Sequence, residues 1–397
     1  MHQINPPKYV RQILFGLQAR SHLAYLVGGC VRDMLMDITP QDWDICTSAL
    51  PEEVMSIFPG SQPTGIKHGT VTVKIGNRSA EVTTFRTDGS YRDHRRPESV
   101  TFVSDLISDL SRRDFTMNAI ALSADGMLSD PFDGVQDIEA RTIRCVGDPK
   151  LRFTEDALRM FRALRFSARL GFTIEYETCS AISECAPLAS ELAPERVRDE
   201  LEKILLTTRP ETLGVAISFG LLKRYIPGSG WSTPNYADIA KLGRKPLTRW
   251  VTFCIMLQKY GYIQSAHAFL ELLRLDGRTI RCCADAEEML KGDAPQDKLG
   301  WKRLLSHYGV DSVACAVAAF EVINGIECEK EFKAVLKSGE CFSLKHLAVT
   351  GDDLLSLGLR GPELGEMLKF LLDYVMEYPD NNKREILLEL AKYSEES

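Results

Sequence analysis

The chain has 397 residues, a formal net charge of −7 and 44% hydrophobic residues. This length allows two to four domains and a sizeable core, and the acidic balance excludes a uniformly basic nucleic-acid-binding protein. Eleven scattered cysteines without a CxxC pair argue against a zinc site. No apolar run approaches the roughly 18 residues of a membrane span, and the N-terminus lacks a signal-peptide core. We therefore expect a cytoplasmic protein with no membrane segment.

The first third of the chain alternates strand and helix signals. Residues 24–35, "AYLVGGCVRDML", predict a strand, a Gly-Gly turn and the start of a helix. Residues 69–85 alternate with period two around Gly76-Asn77 and predict a hairpin. Residues 118–132 predict two short strands around an Asp-Gly turn. Between them, residues 86–100 are polar and have no period, which is typical of a loop.

Helical patterns dominate after about residue 148. The segment 154–170 predicts one continuous helix, and within it Asp156, Arg159, Arg162 and Arg165 recur at intervals of three. Positions three apart are neighbours on a helix surface, so these four residues form one stripe. On its own, this stripe is more typical of an amphipathic helix whose arginines pair with nearby acids.

A pair of carboxylates follows the first turn. Asp42 and Asp44 stand at i and i+2 in a predicted extended segment, where alternate side chains share a face. Two close carboxylates repel each other unless a cation lies between them, and Mg²⁺ accepts one or two carboxylates together with substrate phosphates. Gly28 and Gly29 allow the backbone to approach a phosphate, and Arg32 lies near a helix start that favours anions.

Five motifs occur in a fixed order. They are "LVGGCVRD" with "QDWDI", "RRDFTMNAIA", "DPFDG", "EDALRMFRALRFSARLGF" and "PERVRDELEKIL". With them the sequence resembles the class II tRNA nucleotidyltransferases, which are CCA-adding enzymes and poly(A) polymerase relatives within the polymerase β superfamily. The resemblance is strongest from about residue 20 to 210. We read "DPFDG" as a turn that joins head to neck.

This resemblance implies an α+β fold with an N-terminal polymerase β-like nucleotidyltransferase head built on a small β-sheet, followed by all-α neck, body and tail. The expected divisions are a catalytic head at 1–147, a neck for base recognition at 148–210, a body at 211–300 and a tRNA-binding tail at 301–397. The partners implied are the tRNA 3′ acceptor end, ATP and CTP. No oligomeric state is predicted.

The reaction implied is attack of an RNA 3′-hydroxyl on the α-phosphate of CTP or ATP, with release of pyrophosphate. By the resemblance, Asp42 and Asp44 are catalytic and hold two Mg²⁺ ions. Glu81 is the candidate for a third catalytic carboxylate, and its alternative interpretation is a solvent-facing strand residue. Arg113 is expected to contact the nucleotide, while Asp114 and Asn118 shape the ribose end of the site.

Base selection is expected from the arginine stripe. Cytosine and adenine each present an amine donor beside a ring acceptor, so Asp156 would accept from the amine and Arg159 would donate to the ring. Guanine and uracil present the reverse pattern. Arg162 and Arg165 would neutralise the triphosphate or support the helix. The full predicted nucleotide-binding set is Gly28, Gly29, Arg32, Arg113, Asp114, Asn118, Asp156, Arg159, Arg162 and Arg165.

The loop at 86–100 bears on the product. Relatives that add only two cytidines lack a flexible loop before "RRDFT", whereas this chain keeps one with Arg86, Asp88, Tyr91, Asp93, Arg95 and Arg96. Its presence favours complete CCA addition or addition of the final adenosine alone. A plain disordered surface loop has the same composition.

Three other functions compete with CCA addition. An A-adding tRNA nucleotidyltransferase and a poly(A) polymerase would carry the same motifs. A non-catalytic RNA-binding protein on this scaffold is the alternative from another class, and the intact Asp42, Asp44, Asp156 and Arg159 argue against it. The candidate basic residues for RNA contact in the helical part are Lys223, Arg224, Arg244, Lys245 and Arg249.

Overall fold

The computed structural model of the protein describes residues 6–89 and 100–393. The chain divides into two units, residues 1–225 and residues 226–397. The finer division into head, neck, body and tail stays a prediction. Within the described ranges, no helix combines the length and the apolar character needed to cross a bilayer.

The first unit contains all the described strands. They are β1 (Ala24–Val27), β2 (Asp44–Thr47), β3 (Gln62–Gly65), β4 (Thr70–Ile75), β5 (Arg78–Thr84), β6 (Arg86–Asp88), β7 (Val100–Phe102), β8 (Ala121–Ser123), β9 (Leu128–Ser129), β10 (Thr142–Ile143) and β11 (Thr173–Ile174). Its helices are α1 (Lys8–Gln18), α2 (Gly29–Leu35), α3 (Pro51–Ile57), α4 (Leu106–Ser111), α5 (Gly134–Glu139), α6 (Pro149–Glu155), α7 (Leu158–Leu170), α8 (Tyr176–Cys185), α9 (Pro194–Leu205) and α10 (Thr212–Ser218).

A seven-stranded sheet forms the centre of this unit, with the order β3-β4-β5-β2-β1-β8-β9. The predicted hairpin is confirmed as β4 and β5, which pair in antiparallel register from Thr70–Thr83 to Ile75–Arg78. Strand β2 pairs with β5 in parallel, and this register sets Asp44 beside Glu81. The apolar side chains of Val27, Cys46 and Phe85 pack with those of α4 against the sheet. The predicted mixed head with a β-sheet is therefore confirmed.

The predicted strand, turn and helix at the first motif are confirmed as β1, Gly28 and α2. Gly28 has φ +76°, which L side chains rarely adopt. A Cβ atom at this position would also lie 3.2 Å from Nη1 of Arg113. The glycine therefore allows both the sharp turn and the close approach of a guanidinium.

The "DPFDG" motif forms a turn, as predicted. The carboxylate of Asp130 accepts hydrogen bonds from the main-chain N–H groups of Gly134, at 2.7 Å, and Val135, at 2.8 Å. A Cβ atom on Gly134 would lie 2.2 Å from the main-chain oxygen of Thr116, so a side chain does not fit there. These contacts account for the motif by packing alone.

The prediction of one continuous helix over 154–170 is wrong. Helix α6 ends at Glu155 and α7 begins at Leu158, while Asp156 is extended, with φ −140° and ψ 101°. The Asp156 carboxylate accepts a hydrogen bond from the Leu158 N–H at 3.1 Å. Aspartate side chains compete in this way with helical hydrogen bonds, which explains the break. Asp156 therefore stands at the entrance to α7 and not one turn below Arg159 on the same helix.

The second unit is helical in its described part. Its helices are α11 (Pro246–Lys259), α12 (Ala266–Leu272), α13 (Gly277–Met289), α14 (Lys298–Ala319), α15 (Glu329–Ser338), α16 (Gly351–Leu355), α17 (Pro362–Glu377) and α18 (Arg384–Tyr393). Trp250, Phe253 and Trp301 are buried among these helices. A separate apolar cluster forms around Leu354, Leu371 and Leu387 near the end of the chain. The predicted helical remainder is thus confirmed.

Candidate active site

Asp42, Asp44 and Glu81 bring three carboxylates together where β2 begins beside β5, and we call this place the carboxylate edge. Asp44 is the first residue of β2 and pairs directly with Glu81 of β5, and paired residues project their side chains to the same face. Asp42 lies two residues earlier and is exposed. The expectation that both aspartates share a strand holds for Asp44 only, because β2 begins there.

The charges at this edge are mutually repulsive. Burial, the Glu81 carboxylate and, to a smaller extent, Asp42 raise the pKa of Asp44 to about 6, although Arg113 acts in the opposite direction. Burial is the largest cause of this shift and the neighbouring carboxylates add to it, so a bound cation would stabilise the ionised form of Asp44. The chemistry of the donors therefore fits a divalent metal.

The geometry limits how such a cation would be held. Among residues 6–89 and 100–393, no group of three or more His, Cys, Asp or Glu side chains is arranged to hold a metal ion. Asp42, Asp44 and Glu81 thus do not form a preformed three-carboxylate cage. Mg²⁺ is commonly bound by one or two carboxylates together with substrate phosphates, so the two aspartates fit a metal that arrives with its nucleotide.

Arg113 lies between this edge and the glycine turn. Its Nη2 donates to Asp109 Oδ2 at 3.0 Å, and its charge acts on Asp44. Its Nη1 lies so close to Gly28 that a Cβ atom on that residue would be 3.2 Å away. Its Nε is buried and has no hydrogen-bond partner within the described part of the chain. A guanidinium whose Nη1 lies beside a glycine turn suits a phosphate group.

Four residues of the predicted nucleotide-binding set form one hydrogen-bond network. They are Arg32, Asn118, Asp114 and Arg162. Arg32 is buried and donates to Asn118 Oδ1 at 2.7 Å and to Asp33 Oδ1 at 2.6 Å. Asn118 donates to Asp114 Oδ1 at 3.0 Å, and Arg162 Nε donates to Asp114 Oδ2 at 2.7 Å. Burial alone would raise the pKa of Asp114, but Arg162 and Asn118 outweigh it and lower the value to about 2. The carboxylate is therefore ionised and holds Arg162 in place.

Three arginines of this region contact the aromatic ring of Phe166. The guanidinium carbons of Arg32, Arg162 and Arg165 lie 5.1, 5.7 and 4.2 Å from the centre of the Phe166 ring. Arg165 also donates to Glu200 at 2.6 Å. Of the two roles considered for Arg165, these contacts support the one in which it holds α7 against α9. Phe166 and Glu200 were not predicted, because an aromatic residue and an acid inside amphipathic helices carry no distinguishing pattern.

Asp156 is held by a residue that sequence reasoning missed. Arg196, near the start of α9, donates to Asp156 Oδ1 at 3.2 Å and to Oδ2 at 2.9 Å. Together with the Leu158 N–H, these bonds fill three of about four acceptor positions on a carboxylate. One position on Oδ2 is left. Arg196 stands in the motif "PERVRDELEKIL", so membership of a matched motif was the available signal.

Arg159 is similarly fixed but not saturated. Its Nη1 donates to Glu155 Oε2 at 2.6 Å and to the Arg152 carbonyl at 3.1 Å, and its Nη2 donates to the Arg112 carbonyl at 2.9 Å. The residue is 8% exposed. A guanidinium has five N–H groups, so Nε–H and one Nη2–H are left over from these bonds. The predicted base-reading pair thus has one acceptor and two donors to offer.

The predicted loop residues are divided by the limits of the described structure. Arg86 begins β6, and the backbone of Asp88 pairs with that of Val100 in β7. Tyr91, Asp93, Arg95 and Arg96 lie outside the described residues. The backbone N–H of Arg86 donates to the buried carboxylate of Asp109 at 3.3 Å, a contact that the sequence did not reveal.

Two candidate RNA-contacting residues donate hydrogen bonds within the protein. Arg249 is 2% exposed and donates to the Ala240 carbonyl at 3.0 Å. Arg224 is exposed and donates to the carbonyls of Ser190, at 2.9 Å, and Leu192, at 3.3 Å. Positive charge alone did not distinguish the buried Arg249 from surface arginines.

Comparison with known proteins agrees with this geometry. Residues 24–144 match the family described as "Poly A polymerase head domain", and residues 171–229 match "Probable RNA and SrmB- binding site of polymerase A". The CCA-adding enzyme of Geobacillus sp. (strain WCH70) is 39% identical to this chain, over 94% of the chain and 93% of the relative. The CCA-adding enzyme of Limosilactobacillus fermentum is 37% identical over 96% and 95%, respectively.

The fold gives the same result. The crystal structure of the Bacillus stearothermophilus CCA-adding enzyme in complex with CTP matches with a TM-score of 0.81 and 32% identity, across 99% of this chain and 98% of that one. The predicted resemblance rests on head and neck motifs, whereas these matches extend over nearly the whole length. The chain therefore belongs to the CCA-adding enzyme family of nucleotidyltransferases.

Proposed function

We propose that this protein adds CCA to the 3′ ends of tRNA, using CTP and ATP and releasing pyrophosphate. The observation that carries the proposal is the incomplete hydrogen bonding of Asp156 and Arg159, which leaves one acceptor and two donors on rigidly held groups. The CTP complex of the B. stearothermophilus relative supports it. A cytoplasmic location follows for an enzyme that acts on tRNA.

Base selection depends on this pair. The remaining acceptor position of Asp156 takes a hydrogen bond from the exocyclic amine of cytosine or adenine, and Arg159 donates to the neighbouring ring nitrogen. Guanine and uracil bring a carbonyl and an N–H in the reverse order, which sets like groups against each other. Arg196 and Glu155 hold the two groups in one orientation, so little ordering remains for nucleotide binding.

The chemistry belongs to the carboxylate edge. Asp42 and Asp44 would hold the divalent metal that enzymes of this family generally use, and we take it to be Mg²⁺ because carboxylates and phosphates are hard ligands. When bound, the metal activates the RNA 3′-hydroxyl and neutralises the leaving phosphates. The 3′-oxygen then bonds to the α-phosphorus, the bond to pyrophosphate breaks, and the hydroxyl proton passes to solvent.

Phosphate binding and ribose binding fall to the residues between these two regions. Arg113, whose Nη1 lies beside the Gly28 turn, is placed to hold the triphosphate. Asp114 and Asn118 are fixed by Arg162 and Arg32, and they would border the ribose. Glu81 would add negative charge beside Asp44 as a third carboxylate.

The decisive assay supplies the purified protein with tRNAs that lack the last three, two or one nucleotides, and with each triphosphate in turn. We expect cytidine on the first two substrates and a single adenosine on the third. Adenosine incorporation on the third substrate alone would instead identify an A-adding enzyme. Long adenosine tails would identify a poly(A) polymerase, and tRNA binding without incorporation would identify a non-catalytic scaffold. The Asp42→Ala variant serves as the inactive control.

A further inference from the structure

Asp109 is a buried carboxylate outside the predicted site. It lies on α4 and is 0% exposed. Its Oδ1 accepts from Arg112, with 2.7 Å to Nη2 and 3.1 Å to Nε, and its Oδ2 accepts from Arg113 Nη2 at 3.0 Å. Burial raises the pKa of Asp109, but Arg113 and Arg112 outweigh this effect and lower it below the usual value. One ionised acid therefore serves two neighbouring arginines.

The same group anchors the start of the β6–β7 hairpin. Asp109, Arg112 and Arg113 form a cluster, and both the main-chain N–H and the C=O of Arg86, the first residue of β6, form hydrogen bonds with it. Its N–H donates to Asp109 Oδ1 at 3.3 Å, and its carbonyl accepts from Arg112 Nε at 3.0 Å. The backbone of the hairpin is thus fixed to the two side chains, whatever side chain residue 86 carries.

Two contacts lead from the cluster into the nucleotide site. Arg113 extends from Asp109 to the Gly28 turn beside Asp44. The Arg112 carbonyl accepts the Nη2–H of Arg159 at 2.9 Å, so the backbone that carries the cluster also orients the base-reading guanidinium. The steps from Asp109 to Arg113 and from Arg112 to Arg159 are direct hydrogen bonds, and Arg113 reaches the Gly28 turn by close approach.

We propose that Asp109 is a positioning residue for nucleotide selection. It lies beside the start of the β6–β7 hairpin, and it orients Arg113 directly and Arg159 through Arg112. Asp109 touches no substrate in this scheme. It acts by holding the two arginines in one arrangement, as a fixed second layer does for residues that contact a substrate. This inference rests on the proposed function, because it assumes that Arg113 and Arg159 contact the nucleotide.

The Asp109→Asn variant tests it with little change in volume. An amide in place of the carboxylate sets an N–H group against either the Arg113 or the Arg112 donors, so at least one arginine is released. A hydrogen bond to a charged group is worth about 1.5–3 kcal/mol, so we expect kcat/KM for CTP and ATP to fall about 10- to 100-fold. We also expect the preference for CTP over UTP to decrease.

A matched control separates positioning from general stability. Asp137 is also a buried aspartate of the same unit, and it accepts from Thr116 Oγ1 at 2.6 Å and from Arg144 Nε at 3.2 Å, away from the hairpin. Asp137→Asn should lower the unfolding temperature without changing the ratio of kcat/KM for CTP and UTP. If both variants change that ratio equally, the effect is structural and the proposal is wrong.

A double-mutant cycle tests the route through Arg159. If Asp109 acts through Arg159, then Asp109→Asn should reduce selectivity much less in an Arg159→Ala background than in the wild type. Fully additive losses would overturn the proposal. Should Asp109→Asn fail to fold, Arg112→Lys keeps a cation beside Asp109 but loses the fork that reaches the Arg86 carbonyl, and it should reduce selectivity in the same direction. Unchanged selectivity in that variant would also overturn it.

The wild-type protein in the same assay distinguishes the two levels of failure. If the wild type completes CCA and Asp109→Asn retains full selectivity, only the role of Asp109 is wrong. If the wild type incorporates no nucleotide, the proposed function itself is wrong.

Discussion

The carboxylate edge at β2 and the arginine-rich start of α7 lie in the same unit but shift the pKa of their buried aspartates in opposite directions. At the edge, burial and then the Glu81 carboxylate raise the pKa of Asp44 to about 6. Near α7, Asp114 is paired with Arg162, and its pKa is lowered to about 2. At the edge, Arg113 offsets the negative charge only in part, and a bound metal ion would offset the rest. In the arginine region, the acids and arginines already pair with each other.

This difference separates chemistry from recognition. A site of like charges binds whatever cation the nucleotide brings, without regard to the base. A site of matched pairs is rigid before the substrate arrives, and only its few unused donors and acceptors can select a base. We therefore expect substitutions at the edge to change turnover for all nucleotides alike, and substitutions at Asp156 or Arg159 to change the choice among them.

Loss of an edge carboxylate is expected to have the largest effect. Asp42→Ala or Asp44→Ala removes a metal ligand, and the several kcal/mol that a metal contributes to charge stabilisation correspond to a loss of about 10³-fold or more in incorporation rate. Single-turnover incorporation measures this loss, and fluorescence titration should show that tRNA binding persists. Glu52→Ala, at an exposed acid on α3, is the control. Normal incorporation by the Asp42 or Asp44 variant would contradict the metal assignment.

The sequence predicted the carboxylate edge better than the arginine region. The strand, glycine turn and helix around Gly28 are local features, and their alternation and turn residues are visible in a short window. Asp44 was placed correctly at a strand for this reason. Its pairing with Glu81 depends on a parallel register between β2 and β5, which two short strands do not specify from their own residues.

The arginine region depends on contacts between distant segments. Arg196 meets Asp156 from 40 residues away, and Arg162 meets Asp114 from 48 residues away. The break at Asp156 was also hidden, because the surrounding residues favour a helix and only the cap on Leu158 opposes it. Sequence spacing predicted the arginines as a group, but their individual partners follow from tertiary packing.

Breaking a pair in the arginine region should destabilise the protein. Arg162→Ala leaves the buried Asp114 carboxylate without its cation, and we expect a loss of about 2–3 kcal/mol in the free energy of unfolding, measured with urea at neutral pH. Because the folded-state pKa of Asp114 is below its unfolded value, this stabilisation is present above about pH 4 and is lost as the pH falls through about 2. The difference between variant and wild type should shrink accordingly.

A surface pair supplies the control for that measurement. Lys150 pairs with the exposed Glu184 at 2.6 Å, and Lys150→Ala should change the free energy of unfolding by about 0.5 kcal/mol or less. Equal losses in the Arg162 and Lys150 variants would show that the Asp114 pair has no special role in the stability of the first unit.

Relieving the repulsion at the edge should have a smaller and opposite effect. In metal-free protein, Asp44→Asn removes a charge that burial and Glu81 disfavour, and we expect a gain of about 1–2 kcal/mol in the free energy of unfolding near pH 8. The folded-state pKa is raised, so protonation of Asp44 stabilises the wild type below about pH 4, and this advantage is lost as the pH rises through about 6.

The two proteins should therefore become equally stable as the pH is lowered towards 4. Urea unfolding in the presence of a chelator at several pH values measures the effect. A destabilised variant at pH 8, or a gain that does not depend on pH, would show that burial and Glu81 do not disfavour the Asp44 charge in the folded protein.

The most direct test of the separation between chemistry and recognition is the ratio of kcat/KM among the four triphosphates in Arg159→Ala. Arg11→Ala, at an exposed arginine on α1, is the control. We predict that the preferences for CTP over UTP and for ATP over GTP fall about 10- to 100-fold, as expected for a lost charged hydrogen bond. The metal concentration for half-maximal activity should stay unchanged. Unchanged preferences, or a shifted metal requirement with intact preferences, would contradict the assignment of base recognition to Arg159.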